Sequence, residues 1–180
     1  MKKMMTLALM RAIAVTANAM SYTTAKSEAL FLSDKMAYEL ELTAAQYEAV
    51  YEINLDYLLS VNNQADVFGT WWIRRNADLR YVLSAWQYDK FMRLDRFYRP
   101  VTWHRGGWRF GIYAHYDRNR FYNHHPNAHA SYRGGNNRMS DRFYADRIGH
   151  KPPHHNGGHV AHSGAGTWRQ TANVGPRGRR

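Results

Sequence analysis

The feature that most constrains the fold is a helical spacing of apolar residues that begins near Ser27 and ends just before Pro100. Apolar side chains recur three and four positions apart, most clearly over residues 47–61. A break at Asn62-Asn63 divides the stretch, and a proline disfavours helix at the residue before it. The pattern predicts a mainly α-helical protein, built as a small helical hairpin or bundle over residues 20–99.

Charge is unequally distributed along the chain. Residues 20–98 carry 8 Lys and Arg against 11 Asp and Glu, whereas residues 99–180 carry 14 against 3. All ten histidines lie at or beyond His104. A cationic region of this kind is attracted to polyanions, acidic membrane surfaces and acidic proteins. The chain has no cysteine, which excludes disulfides, thiolate metal ligands and a cysteine nucleophile.

The N-terminus has the order of a secretory signal. Lys2 and Lys3 precede a largely apolar stretch and then Ala17-Asn18-Ala19, the small-x-small pattern at which signal peptidases cleave. Arg11 interrupts the apolar stretch and weakens its partition into a membrane. The pattern predicts a signal peptide over residues 1–19 and a periplasmic or secreted product with no integral membrane span. An amphipathic N-terminal helix of a cytosolic protein is the alternative.

Two copies of a helix-start motif lie 41 residues apart. In each copy a hydroxyl side chain can cap the helix, a glutamine three residues later can bond back, and apolar residues flank the pair. The copies comprise Leu42, Thr43, Gln46 and Tyr47, and Leu83, Ser84, Gln87 and Tyr88. They predict helix starts at both places, and their repetition indicates a duplicated helix-turn-helix arrangement. Further helices are predicted over residues 65–81 and 84–99.

Residues 42–46, LTAAQ, and more loosely residues 83–87, LSAWQ, resemble the paired LTxxQ motifs of small periplasmic stress proteins of the Spy and CpxP kind. Residues 35–57 are also similar to uncharacterised exported proteins of Gram-negative gut anaerobes. The resemblance covers about residues 30–98. It implies an all-helical, dimeric, cradle-shaped protein without a cofactor, acting as an ATP-independent chaperone or a stress-sensing modulator.

Beyond the proline the sequence pattern changes. Trp103 and Trp108 flank a glycine turn, and apolar residues then alternate with polar or small ones as far as Ile112, as in a half-buried strand. Residues 100–122 are therefore predicted to form an aromatic, glycine-rich extension with a short β-hairpin. Apolar residues then become sparse, so residues 123–180 are predicted to be a disordered, basic tail rich in His, Gly and Arg.

No motif indicates an enzyme, and no catalytic residue or obligatory cofactor is assigned. The chain lacks a nucleophile elbow, an HExxH zinc motif, a phosphate-binding loop and a dinucleotide fingerprint. Glu48, Glu52 and Asp56 lie four residues apart on one face of a predicted helix. Carboxylates placed in this way are predicted to form a solvated acidic face rather than an acid–base pair.

Histidine is the one residue type here that is suited to a metal. Neutral imidazoles three or four residues apart can share a Zn²⁺, Ni²⁺ or Cu²⁺ ion. The candidate ligands are His124, His125, His129, His154, His155, His159 and His162. A glycine-rich tail offers no residues to orient the rings, so any bound metal is predicted to be labile. The alternative is that these histidines are incidental to a polar tail.

Tryptophans and arginines supply the remaining candidate surfaces. Trp71, Trp72 and Trp86 are predicted mainly as core, but adjacent Trp71 and Trp72 cannot face the same way on a helix. One exposed tryptophan would mark a surface for protein clients or envelope components. Arg105-Gly106-Gly107 and Arg133-Gly134-Gly135 lie near aromatic residues and suit a polyanion. Client binding, labile metal binding and polyanion binding thus stand as three hypotheses, with a homodimer left open.

Overall fold

The computed structural model describes residues 19–140, and within them six α-helices and one β-hairpin are present. The helices are α1 Tyr22–Glu39, α2 Ala44–Ser60, α3 Thr70–Val82, α4 Ala85–Arg93, α5 Asp95–Tyr98 and α6 Asn127–Ser131. The strands are β1 Val101–His104 and β2 Gly107–Phe110, and short 3₁₀ helices occupy Gln64–Asp66 and Gly111–Ala114. The predicted mainly α-helical class is confirmed.

Helix α2 is the central element. It packs against α1, α3 and α6, so most of its circumference is buried. A helix enclosed on this many sides carries apolar residues around most of its surface. Between residues 19 and 140, no helix is long and apolar enough to span a membrane.

Two adjoining apolar clusters form the core on either side of α2. Both draw residues from α1 and α2, and α3 contributes side chains to both. The first also includes residues of the β-hairpin and α6, and the second includes residues of α4 and α5. The largest fully buried apolar side chains are Tyr51, Tyr57, Phe91, Phe97, Leu32, Met36, Leu40, Ile53, Leu55 and Leu58. The chain beyond residue 100 thus helps to build the core.

Two predicted helices were wrong in their extent. The stretch predicted over residues 65–81 contains a separate 3₁₀ helix, and α3 begins only after Gly69, which occupies its N-cap. The stretch predicted over 84–99 breaks at Leu94, whose non-helical backbone (φ −102°, ψ 89°) ends α4 and starts α5. The break allows Phe97 to be buried in the second cluster.

The predicted β-hairpin is confirmed, with a turn at Arg105 and Gly106. Both turn residues have positive φ, 49° and 79°, the region that glycine adopts most easily. Trp103 pairs with Trp108 across the strands, and their rings meet edge to face at 4.4 Å. Ile112 does not extend the strand as predicted, because it lies buried in the 3₁₀ helix that follows β2.

The prediction of disorder from residue 123 is wrong for residues 123–140. Residues 121–140, here called the strap, run across α1 and α2 and include α6. Ala128 and Asn137 of the strap are only 4% and 3% exposed. The proline at 100 therefore does not divide a folded domain from a tail. The predicted signal peptide up to residue 18 and the tail beyond residue 140, with His154, His155, His159 and His162, lie outside the described residues.

Candidate functional site

Both predicted capping motifs are present as complete capping boxes. Thr43 Oγ1 accepts from Gln46 N at 3.3 Å, and Gln46 Oε1 accepts from Thr43 N at 3.0 Å. Ser84 and Gln87 repeat the arrangement at 3.4 and 2.9 Å. The flanking residues Leu42, Tyr47, Leu83 and Tyr88 are buried or half-buried. The local prediction is thus confirmed at both copies.

The two motifs also contact each other, which the sequence did not predict. Gln46 Nε2 donates to Gln87 Oε1 at 2.8 Å, and Gln87 Nε2 donates back to Gln46 Oε1 at 3.2 Å. Gln46 Nε2 also bonds Val82 O, and Gln87 Nε2 bonds Leu40 O, both at 3.0 Å. Each amide therefore caps its own helix and ties it to the opposite turn, which gives the repeated glutamine a structural role.

The acidic face of α2 is not solvated, and that prediction was wrong. Glu52 and Asp56 are only 7% and 6% exposed, and Glu48 is half-buried. The strap covers all three. Buried carboxylates are tolerated when hydrogen-bond donors replace water, and the strap provides such donors from its backbone.

Glu48 holds the start of α6. Its two carboxylate oxygens accept from the backbone amides of Asn127 and Ala128 at 2.6 and 2.7 Å. The first amides of a helix have no partner within the helix, and a negative charge there is favourable. A side chain from α2 thus supplies the cap that α6 lacks in its own sequence, since its N-cap is Pro126.

Asp56 and Glu52 hold the turns that follow α6. Asp56 accepts from Tyr132 Oη at 2.7 Å, from Gly135 N at 2.6 Å, and from Asn137 N and Nδ2 at 2.9 and 3.0 Å. Glu52 pairs with Arg138, whose Nη2 lies 2.7 Å from Glu52 Oε1. Part of the positive charge beyond residue 99 is therefore paired with a carboxylate of α2 in the same molecule.

Asp34 of α1 holds the beginning of the strap in the same way. It accepts from the backbone amides of Tyr122 and Asn123 at 3.1 and 2.8 Å. Lys35 Nζ, fully buried, lies 2.7 Å from Asp34 Oδ2 and over the rings of Phe31 and Tyr122 at 4.4 and 4.3 Å. The ion pair and the aromatic rings offset the cost of burying this charge.

The segment Arg133-Gly134-Gly135 allows the strap to pack closely against α2. Gly134 and Gly135 both have positive φ, 92° and 100°. A Cβ at Gly134 would lie 2.4 Å from Leu59 Cδ1, whereas a Cβ at Gly135 would meet nothing within 4 Å. In this triplet, glycine therefore provides turn geometry and close approach, and Arg133 remains exposed.

A buried polar cluster joins α2, α3 and the strap. Asn137 Nδ2 donates both to Asp56 and to Asp78, at 3.0 and 3.1 Å. Burial raises the pKa of Asp78 to about 6, against the opposing effects of Asn137 and of Arg74 at 3.7 Å. Burial raises the pKa of Asp56 as well, although its hydrogen bonds oppose the rise. Because the pKa of Asp78 is higher in the folded state than in the unfolded state, protonation of Asp78 stabilises the fold. This stabilisation is lost as pH rises through about 6.

The prediction that the tryptophans belong mainly to the core is confirmed for Trp71 and Trp72, which pack against the first apolar cluster, and is wrong for Trp86. Trp71 and Trp72 are both half-buried, and Trp72 Nε1 donates to Tyr98 O at 2.8 Å. Neither is the exposed member of the pair that the sequence suggested. Trp86, by contrast, is 51% exposed at the first turn of α4.

Exposed apolar side chains concentrate around α3 and α4. Of the eight large apolar side chains that are exposed among the described residues, five lie between positions 68 and 92: Phe68, Ile73, Tyr81, Trp86 and Met92. Ile73 and Tyr81 are eight residues apart in α3 and so lie on one face of the helix. We call Ile73, Tyr81, Trp86 and Met92 the outer face. All four lie on the two consecutive helices α3 and α4, whereas exposed apolar residues scattered singly over a surface need no explanation.

The structure brings two of the candidate histidines together. The ring centres of His125 and His129 lie 5.1 Å apart, and His124 is exposed in the same turn. Burial lowers the pKa of His129, and Lys26 and His125 lower it further. Across residues 19–140, no three His, Asp or Glu side chains are grouped so that they could hold a metal together.

No protein-family model matches the chain, and comparison with curated proteins and with solved structures gives no significant match.

Proposed function

We propose that this chain is a non-enzymatic protein of the bacterial envelope that binds apolar segments of other proteins through the outer face of α3 and α4. The observation that carries the proposal is the number of exposed large apolar side chains on α3 and α4, where Ile73, Tyr81 and Trp86 are 46%, 48% and 51% exposed. Large apolar residues gathered on one exposed surface are typical of protein-binding sites.

The surroundings of the outer face suit such binding. Arg80, Lys90 and Arg93 are exposed on the same two helices and supply the charged surroundings that are typical of the rim of a protein-binding surface. The side chains project from helices that the Gln46–Gln87 pair ties to the rest of the fold. Because the face is already ordered, an incoming segment is bound with little loss of conformational entropy from this protein.

Two sequence features support the envelope location and the chaperone-like role. The N-terminal order of lysines, apolar stretch and Ala17-Asn18-Ala19 favours export. The LTxxQ-like motifs resemble those of periplasmic stress proteins that bind unfolded clients. A chaperone of this kind requires an accessible apolar surface and no active site, and the outer face meets the first requirement.

The proposal is tested by light scattering of an unfolded client at several-fold molar excess of the protein. We expect the unaltered chain to slow aggregation and the triple variant Ile73→Ser, Tyr81→Ser, Trp86→Ser to lose most of this effect. Tyr38→Ser is the matched control, since Tyr38 is 55% exposed but lies on α1. Failure of the unaltered chain to slow aggregation, or an equal loss in the control, contradicts the proposal. Circular dichroism verifies that all variants remain folded.

A further inference from the structure

We propose that His125 and His129 form a labile site for one divalent ion of the Cu²⁺, Ni²⁺ or Zn²⁺ class, distinct from the outer face. The site lies on the strap, where α6 rests on α2.

The spacing of the two rings fits a shared ion. Their centres are 5.1 Å apart and their planes are inclined by 68°. Two imidazoles that bind one ion at about 2.1 Å with a tetrahedral angle place their ring centres roughly 5 Å apart. The observed separation of 5.1 Å is therefore close to the value expected for two imidazoles that share one ion.

The fold holds the pair in place. His125 precedes α6 and His129 follows one turn later within it, while Glu48 fixes the start of the helix. The ring of His125 contacts Phe121 at 5.4 Å, and the ring of His129 contacts Tyr51 at 5.7 Å. Because these contacts already restrict both rings, little ordering is lost when an ion binds.

The surroundings of the pair make any bound ion labile. The charge of Lys26 opposes a cation at this place, which limits the affinity. His125 is exposed, so water can fill the remaining coordination positions and the ion can leave readily.

Ligand chemistry determines the class of ion. Imidazole nitrogen suits Cu²⁺, Ni²⁺ and Zn²⁺, and affinity for a given site is highest for Cu²⁺ in this series. Mg²⁺ and Ca²⁺ require oxygen ligands and are not expected to bind here. Cu²⁺ is therefore the best probe, because its electron paramagnetic resonance spectrum also reports nitrogen ligands.

The test uses full-length protein in which the five histidines between positions 150 and 162 are replaced by asparagine, so that they cannot mask the site. Calorimetric titration of this background is expected to show one Cu²⁺ per chain. His125→Ala and His129→Ala are each expected to weaken it about tenfold or more, and the control His124→Ala less than about twofold. The resonance spectrum should show two nitrogen ligands in the background and fewer in either variant.

A background that binds no Cu²⁺, or variants that bind like the background, would overturn the site. Thermal unfolding in the presence of a chelator separates loss of a ligand from loss of the fold, since His125→Ala changes an exposed position and should leave the transition unchanged. The titration involves no client protein, so its failure and the failure of the aggregation assay are independent results.

Discussion

The acidic face of α2 and the outer face of α3 and α4 differ in exposure in a way that the polarity of their side chains does not suggest. Glu52 and Asp56, spaced like a solvated stripe, are covered by the strap. Ile73 and Tyr81, which are large apolar side chains, are 46% and 48% exposed. The difference teaches that burial depends on whether a partner with the right donors lies elsewhere in the chain, and not on the polarity of the side chain alone.

The largest expected effect on stability is that of removing the Asp56 carboxylate, which holds the strap on the acidic face of α2. Asp56→Ala leaves three strap donors, Tyr132 Oη and the amides of Gly135 and Asn137, without their acceptor. We expect a loss of about 3 kcal/mol in the free energy of unfolding, measured by urea denaturation. Hydrogen exchange at the Gly135 and Asn137 amides should accelerate.

Asp95→Ala is the matched control for that experiment, because the Asp95 side chain is 82% exposed and its ion pair with Arg99 is long at 4.0 Å. Its effect should stay within about 0.5 kcal/mol. A loss at Asp56 no larger than that of the control would show that the strap does not depend on this carboxylate.

The close packing of the strap against α2 can be tested by comparing alanine substitutions at two neighbouring glycines, Gly134 and Gly135. Both need a positive φ, so alanine at either position costs about 1 kcal/mol in backbone strain. Gly134→Ala should cost about 1 kcal/mol more, because its Cβ would lie 2.4 Å from Leu59 Cδ1. Thermal unfolding of the two variants measures the difference, and equal losses would mean that the strap shifts away from α2 without cost.

The smallest expected effect on stability is that of the contact between α2 and α4, where the side-chain amides of Gln46 and Gln87 meet. Each change to alanine should cost about 1 kcal/mol through the lost cap, and the double variant should show a coupling energy of about 0.5–1 kcal/mol. Urea denaturation of the four proteins in this cycle provides the value. Gln64→Ala, at an exposed position, is the control. Strict additivity would show that the two amides act independently.

Local features of this protein were predictable because their causes lie within a few residues. The caps at Thr43 and Ser84 follow from hydroxyl and glutamine side chains three residues apart. The turn at Arg105 and Gly106 follows from glycines between aromatic residues. The break at Leu94 had no comparable local signal, since nothing in its sequence separates it from the helix on either side.

The candidate surfaces were only partly predictable. Of the tryptophans, the sequence identified Trp86 as a candidate, but it could not distinguish it from Trp71 and Trp72, because helical spacing does not say which face has a neighbour. Histidines three or four residues apart suggested a metal site, yet only the path of the strap shows that His125 and His129 are the pair whose rings meet.

By itself the sequence determined the helical class, the starts of α2 and α4, and the hairpin, since backbone propensity and capping act over short distances. Only the tertiary structure decided that Gln46 meets Gln87 and that the acidic face of α2 binds the backbone of the strap. The physical reason is that a carboxylate can be satisfied by any backbone amide. The sequence of the strap therefore contains no signal of this contact, and a composition poor in apolar residues was mistaken for disorder.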